Sequence, residues 1–373
     1  MRYIWQHIAA ILSTYDGSLP LTHFLKHYCK QHPKLGSRDR KILSAMAYSW
    51  YRCSKAVGRP SPEATAGEAV ETQIKACLKL CNVTVPMPDM DVAVPAFDAA
   101  ALFPHEVAFS EGIVQNEWLQ SMITQPDLFI RIRKEKEKIE QILNQHAIPY
   151  RYLSDTCMAL PNGAKIDTLL QPDTYVVQDA SSQETGKYFS PARNETWWDC
   201  CAGAGGKSIL LKDIAPAVNL TVSDRRETIL YNLRQRFKLY GLKQPEDLAM
   251  DITKRGTVDL VLGNRMFDNI ICDAPCTGSG TWARTPEQLY FFDPAIVQQY
   301  AATQLAVATN AAAHLKPGGR LIYITCSVFR AENEDVVSRI AAEAGLTVME
   351  EHSINGTGKR ADSMFVVVMR KEE

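Results

Sequence analysis

The chain has 373 residues, 46% of them hydrophobic and 22% charged, with a formal net charge of −1. That is an ordinary balance for a globular protein of two or three domains, and the whole-chain charge points to no class of partner. No stretch of ~18 apolar residues is present, which excludes a transmembrane helix.

Met1-Arg2-Tyr3-Ile4-Trp5-Gln6-His7 opens a short apolar stretch that Asp16 breaks and that lacks a small-residue cleavage pattern, so no signal peptide is expected. Ten cysteines spread along the chain fit reduced thiols and a cytoplasmic home. Cys77 and Cys81 have no second pair at zinc spacing and read as small core residues on a helix face, so no metal site is expected. Apolar residues recur at helical spacing through Ile4–Leu12 and Leu43–Trp50, and Ser37 or Asp39 is placed to cap the second of these helices. Residues 1–60 carry ten Lys/Arg (Arg2, Lys26, Lys30, Lys34, Arg38, Arg40, Lys41, Arg52, Lys55 and Arg59) against Asp16 and Asp39. Residues 61–120 reverse the balance, with nine acids against Lys75 and Lys79. The basic block fits a polyanion surface or a solvated helical face. Asn82–Pro104, with Pro86, Pro88, Pro95 and Pro104, reads as a linker or long loop.

From Trp118 the character changes. Asp127–Arg133 alternates like a strand, Lys134–His146 follows as an amphipathic helix, and Tyr150–Leu153 returns as a strand, forming a small α+β unit. From Thr196 strands and helices alternate. Thr196–Cys200, Leu220–Ser223, Ile270–Cys272 and Leu321–Thr325 are the strand candidates, Leu248–Met250 is a weaker one, and Ala295–Leu315 is helical. Such alternation predicts an α/β fold with a parallel sheet wrapped by helices.

Functional groups in such sheets gather beyond the carboxyl ends of the strands. Asp199-Cys200-Cys201-Ala202-Gly203-Ala204-Gly205-Gly206-Lys207-Ser208 follows the first strand and opens a helix, where small residues let backbone amides approach a ligand. It is not a P-loop, because Cys201 stands where that motif needs its first glycine. Asp224 follows Gly203 by 21 residues and Asp251 comes after another strand candidate; acids at such positions hold ribose hydroxyls in nucleotide-type folds. Further on, Asp273-Ala274-Pro275-Cys276-Thr277-Gly278-Ser279-Gly280 puts a carboxylate and a thiol on one loop, and Thr325-Cys326-Ser327 puts a second thiol at another strand end. Trp282, Tyr290, Phe291 and Phe292 fit either stacking on a base or core packing.

In this order the three motifs resemble the RsmB/Sun (Fmu) family of S-adenosylmethionine-dependent RNA (cytosine-5) methyltransferases, and Val177–Gln183 is similar to that family's entry segment. Leu35–Leu43 and the helices around it resemble the NusB-like RNA-binding domain of some members. The chain departs from the pattern at Gly203-Ala204, where the family usually has Ala-Pro, and over Asn355–Phe365. The resemblance implies a Rossmann-like methyltransferase sheet with a small α+β subdomain and an N-terminal helical domain: residues 1–117 helical, 118–174 α+β, 175–373 methyltransferase. It further implies a monomer acting on RNA, first of all ribosomal RNA, with S-adenosylmethionine as cofactor and neither metal nor membrane. Cys201, Ala202, Gly203, Ala204, Gly205, Gly206, Lys207, Asp224, Asp251 and Asp273 are then the cofactor residues.

Carbon 5 of cytosine is too weak a nucleophile to take a methyl group unaided. A thiolate adding to carbon 6 makes carbon 5 enamine-like. By resemblance Cys326 is that nucleophile and Cys276 assists release. Asp273 is placed to bond the ring edge, and Lys207 to favour the thiolate or hold the base. The alternatives are a transfer-RNA cytosine-5 methyltransferase, a DNA cytosine methyltransferase with Cys276 as attacker, and a non-catalytic RNA-binding assembly factor.

Overall fold

The computed structural model describes residues 2–57, 66–86, 92–93 and 97–372; Arg59, Pro88 and Pro95 lie outside the described residues. Two compact units emerge. One comprises the chain up to Val107, Val114–Gln125 and Thr281–Pro294, and the other Ala108–Ile113, Pro126–Gly280 and the chain from Ala295 onward.

The first unit is helical. Helices Arg2–Thr14, Leu21–Gln31, Ser37–Cys53 and Ala66–Leu80 bury Ile4, Ile8, Ile11, Leu21, Leu25, Leu43, Met46, Ile74 and Leu78 in one cluster, the three- and four-residue spacing expected of a helical face. At the start of Ser37–Cys53 it is Asp39, not Ser37, that caps: its Oδ2 accepts the Gly36 N–H at 3.0 Å from the third helical position. Cys77 is buried, and the Cys81 sulfur lies 3.6 Å from that of Cys53. The stretch expected to be a linker includes a short helix, Ala99–Leu102, capped by Asp98.

Arg52 corrects the picture of a basic surface. It is 2% exposed and donates to the Met122 carbonyl at 2.6 Å and to Gln125 Oε1 at 2.8 Å, so it ties chain segments together inside the unit. Arg2, Lys26, Lys30, Lys34, Arg38, Arg40, Lys41 and Lys55 are exposed. The aromatic residues after the Cys276 loop are packed in this same unit. Trp282 is 1% exposed, with ring centroids 5.7 Å from Trp118 and 4.9 Å from Phe292, while Tyr290 and Phe291 pack on Tyr51. Glu287, also buried, accepts the Leu21 N–H at 3.1 Å.

The second unit holds two sheets. The smaller is antiparallel: β1 (Leu128–Ile132), β2 (Arg151–Tyr152), β3 (Cys157–Leu160) and β4 (Tyr175–Val177) in the order β2-β3-β1-β4, with helix Lys136–Gln145 on one face. Arg131 and Arg133 of this subdomain share the Asp213 carboxylate, at 2.6 and 2.8 Å, and so pin it to helix Gly206–Ile214.

The larger sheet has seven strands: β5 (Thr196–Asp199), β6 (Asn219–Asp224), β7 (Glu246–Ala249), β8 (Phe267–Asp273), β9 (Leu315–Thr325), β10 (Leu346–Ile354) and β11 (Met364–Lys371), ordered β10-β11-β9-β8-β5-β6-β7. β5 to β9 are parallel, as expected. β11 runs antiparallel to β9 and to β10, so the sheet is mixed and its C-terminal pair corrects the all-parallel expectation. Both faces carry cores, one around Trp198, Ile270 and Tyr323, the other around Trp197, Ile271 and Val366. Among the described residues no helix is long and apolar enough to cross a membrane.

Candidate functional site

From β5 the strand order runs one way to β6 and β7 and the other way to β8 and β9. This is the reversal beyond which ligands bind in open α/β sheets. A cavity of about 510 Å³ lies there, lined from the loops after four strands: Cys200, Cys201 and Gly203 after β5, Asp224–Arg226 at β6, Met250–Thr253 after β7, and Asp273 and Pro275 after β8. Tyr300, Thr303 and Val307 of helix Ala295–Ala312 close it.

The expected cofactor residues divide. Cys201, Gly203, Asp224, Asp251 and Asp273 line the cavity, while Ala202, Ala204, Gly205, Gly206 and Lys207 shape the turn and the helix start without lining it. Gly203 has φ +53, a left-handed conformation natural to glycine, and its N–H points to Asp224 Oδ2 at 3.2 Å. The family's usual alanine at this position would be strained at that φ, whereas Ala204, where the family has proline, is not among the positive-φ residues. Asp224 also takes Arg226, whose Nε lies 3.1 Å from Oδ1; that bond holds the guanidinium above its ordinary pKa. Asp251 Oδ1 accepts the Thr253 hydroxyl at 2.6 Å, the main reason its carboxyl titrates below the usual range.

Lys207 faces inward, only 8% exposed, with Nζ 2.8 Å from Asp273 Oδ2. Burial pulls its ammonium down, but Asp273, with Cys326 and Asp199, outweighs burial and holds it above its ordinary value. The sequence-level role of Lys207 on the thiolate or base therefore starts from a lysine already paired with a carboxylate.

The two thiols meet. Cys276 Sγ and Cys326 Sγ lie 3.2 Å apart on the loops after β8 and β9, both half-buried. The hydrogen bond to Cys326, followed by burial, pushes the Cys276 thiol well above its ordinary range. Either sulfur can donate to the other at this distance. The loops are locked at close quarters: the Gly280 N–H reaches the Cys326 carbonyl at 2.8 Å, and its carbonyl accepts the Ser363 N–H at 2.9 Å. A Cβ at Gly280 would sit 2.0 Å from the Ser363 carbonyl oxygen and 2.9 Å from that of Cys326. Gly280→Ala is expected to destabilise the chain by about 3 kcal/mol, read as a lowered urea midpoint, because backbone must move to admit the methyl. This also shows what the divergent 355–365 segment contacts. It packs on the Gly280 turn and, through Asp362, on Asp179 and Ser181.

The family model of 16S rRNA methyltransferase RsmB/F matches residues 187–365, which span every strand-end loop just described. Those residues belong to the RsmB/F family. The chain is 32% identical over 169 residues to ribosomal RNA small subunit methyltransferase B of Klebsiella pneumoniae (strain 342), covering 44% of this chain and 38% of that protein. It is 29% identical over 223 residues to the same-named protein of Serratia proteamaculans (strain 568), covering 57% and 50%. The chain thus spans half or less of the length of these curated relatives. Among solved structures, the crystal structure of PH0851 superposes with a TM-score of 0.72 at 16% identity, over 94% of this chain and 95% of that one. NSun6 from Pyrococcus horikoshii, solved with SFG, superposes with 0.60 at 16% identity, over 69% and 94%. At those identities the likeness establishes the fold, a Rossmann-like methyltransferase sheet.

Within the RsmB/F-family domain, several site residues carried no motif. Arg225, Arg226, Thr253 and Tyr300 line the cavity, and Gln304 and Glu332 are wholly buried beside the thiol loops. The spacing of Tyr300, Thr303, Gln304 and Val307 is a signal in retrospect, since it sets all four on one helical face. Among the described residues no cluster of three or more metal-ligating side chains occurs.

Proposed function

We propose that the chain transfers a methyl group from S-adenosylmethionine to carbon 5 of a cytosine in RNA, with ribosomal RNA as the substrate, through a covalent adduct with Cys326. The observation that carries this is the pair of thiols 3.2 Å apart at strand ends beside a 510 Å³ cavity lined by Asp224 and Asp251.

The donor set suits the cofactor. Asp224 and Asp251 stand at successive strand ends as acceptors for ribose hydroxyls, and the open backbone at Gly203 admits close approach. Bound there, S-adenosylmethionine supplies an electrophilic methyl group on a sulfonium. The chain supplies the rest. The target base must leave its stack to reach the thiols. Cys276 donates its hydrogen bond to Cys326 and so favours the thiolate, which adds to carbon 6 and makes carbon 5 nucleophilic. Lys207 pairs with Asp273 at 2.8 Å and orients it, and Asp273 bonds the ring edge of the base. The carbon-5 proton then passes to water, its bonding pair re-forms the carbon 5–carbon 6 double bond, and the Cys326–carbon 6 bond breaks with its electrons going to the sulfur, which leaves as a thiolate taking the Cys276 hydrogen bond.

Residues 1–117 serve in this proposal as a NusB-like RNA-binding domain, whose exposed lysines and arginines meet the RNA backbone. The proposed subdomain, residues 118–174, is completed by β4, and the proposed catalytic domain, 175–373, lends Thr281–Pro294 to the helical unit; the enzyme acts as a cytoplasmic monomer without a metal.

Labelled S-adenosylmethionine offered with ribosomal RNA, transfer RNA and DNA tests the function. Label in 5-methylcytosine of ribosomal RNA is expected. Label in transfer RNA alone changes the substrate, and label in DNA alone overturns the RNA assignment. Binding of both ligands with no transfer to any of them would make the chain a non-catalytic factor. For the cofactor site, Asp224→Ala is expected to weaken binding by about 1.5–3 kcal/mol, roughly 10- to 150-fold, in calorimetric titration, because a charge-assisted bond is lost.

A further inference from the structure

The sulfurs of Cys276 and Cys326 are brought together by loops after two different strands, and neither loop is regular structure. What sets their register is beneath them. Glu332, six residues after Cys326, is 0% exposed, and both of its oxygens are fully engaged. Oε1 accepts the Thr277 N–H at 2.8 Å and Gln304 Nε2 at 3.1 Å, and Oε2 accepts the hydroxyls of Thr277 at 2.6 Å and Ser327 at 2.5 Å. Thr277 is the residue after Cys276, and Ser327 the residue after Cys326. Gln304, itself wholly buried, also donates to the Pro275 carbonyl at 3.0 Å, gripping the residue on the other side of Cys276. One carboxylate therefore clasps both thiol-bearing loops by their next residues.

We propose that Glu332 is a positioning residue for the two-thiol reaction: its carboxylate fixes the Cys276 and Cys326 loops in the register that sets the sulfurs side by side. The proposal rests on the covalent reading of the site given above. Glu332 has no surface, so it cannot touch a base or a cofactor. Four donors fill the four lone-pair sites of a carboxylate, and an apolar replacement takes that acceptor away from all four in a buried place. Burial raises the Glu332 pKa, while the bonds from Ser327, Thr277 and Gln304 oppose it. Charge as such is dispensable to the clasp. Both partners of Oε2 are hydroxyls, which can turn to accept, so a glutamine amide at that position keeps all four contacts.

The test compares Glu332→Gln, Glu332→Ala and, since Glu332→Ala risks misfolding, Gln304→Ala, which removes one clasping contact and leaves the carboxylate. The first readout is geometric and needs no methyl transfer: bridging of Cys276 to Cys326 by dibromobimane, located by peptide mapping. The second is kcat and KM for methyl transfer to RNA. Wild type and Glu332→Gln are expected to bridge and turn over alike. Glu332→Ala is expected to lose the bridge and about 100-fold in kcat, the scale of an ångström-sized misplacement, with cofactor affinity unchanged. Gln304→Ala is expected to fall between them in both readouts. Equal loss of kcat in Glu332→Gln and Glu332→Ala, with bridging intact in the former, would overturn positioning in favour of a role for the charge or proton. Wild-type bridging in both Glu332→Ala and Gln304→Ala would remove the clasp. If wild type methylates no nucleic acid, the covalent reading fails by itself, and the bridging comparison still decides whether Glu332 holds the thiols.

Discussion

Cys326→Ala is expected to lose methyl transfer by up to ~10⁶-fold, the scale on which removal of a covalent nucleophile acts, and to form no covalent RNA complex. Cys276→Ala is expected to behave differently. It retains the attacking sulfur, so it should still form the adduct and methylate carbon 5, but it has lost the hydrogen bond to the departing sulfur. The methylated adduct then accumulates as a protein–RNA band that survives denaturation and needs both RNA and cofactor to build up. Because the thiolate is the nucleophile, the band should form more slowly as pH falls. The two sulfurs lie 3.2 Å apart, so whichever attacks has the other within hydrogen-bond reach when it departs, and the bond to Cys326 and burial both raise the Cys276 thiol. A DNA-type enzyme reverses the assignment, with Cys276 attacking. A denaturing gel of the two variants separates them. A covalent band from Cys326→Ala and none from Cys276→Ala overturns the mechanism, and normal turnover in both removes cysteine catalysis.

The strands that carry these groups were readable because each is a short apolar run ending in a polar turn, as in Ile270-Ile-Cys-Asp273 and Leu321–Thr325. The acids at their ends were readable for the same reason. What escaped is non-local. β10 has an exposed face and partners β11, the apolar run Met364–Lys371, so the pair shows no strand–helix alternation and its antiparallel direction depends on contacts across the sheet. Arg52 looks like its basic neighbours in sequence, and only the Met122 carbonyl, 70 residues away, makes it an internal tie. Trp282, Phe291 and Phe292 follow the Cys276 loop directly, yet their partners are Phe103, Trp118 and Tyr51 of the helical unit. Glu332 lies in an ordinary polar stretch, Arg330-Ala-Glu-Asn-Glu334, and becomes distinctive only when Thr277, 55 residues earlier, is seen to donate to it twice.

Asp199→Asn is expected to stabilise the folded chain by about 3–4 kcal/mol at pH 8 and by almost nothing at pH 4. Asp199 ends β5 with no exposed surface, and burial pushes its carboxyl up to about 7, helped by the nearby Asp273 and opposed by the Ser208 hydroxyl and by Lys207. An unfolded aspartate titrates near ~3.9. Between those two values the native chain binds more protons than the unfolded one, so stability falls as pH rises through the window. Below it both states are protonated and the residue costs nothing; above it the folded chain carries a buried charge, about three units at ~1.4 kcal/mol each. Asparagine removes that cost. Its amide can donate to the Ser208 oxygen, which Asp199 Oδ2 now contacts at 2.5 Å, and its oxygen can stay where Asp199 Oδ1 has no hydrogen-bond partner. Urea unfolding of both chains at pH 4, 6 and 8 should show a gap that opens steadily with pH. A gap that stays constant, or a variant weaker than wild type at pH 8, would mean that Lys207 supports Asp199 as an ion. The turn after β5 would then be held by a buried charge pair rather than by a neutral carboxyl.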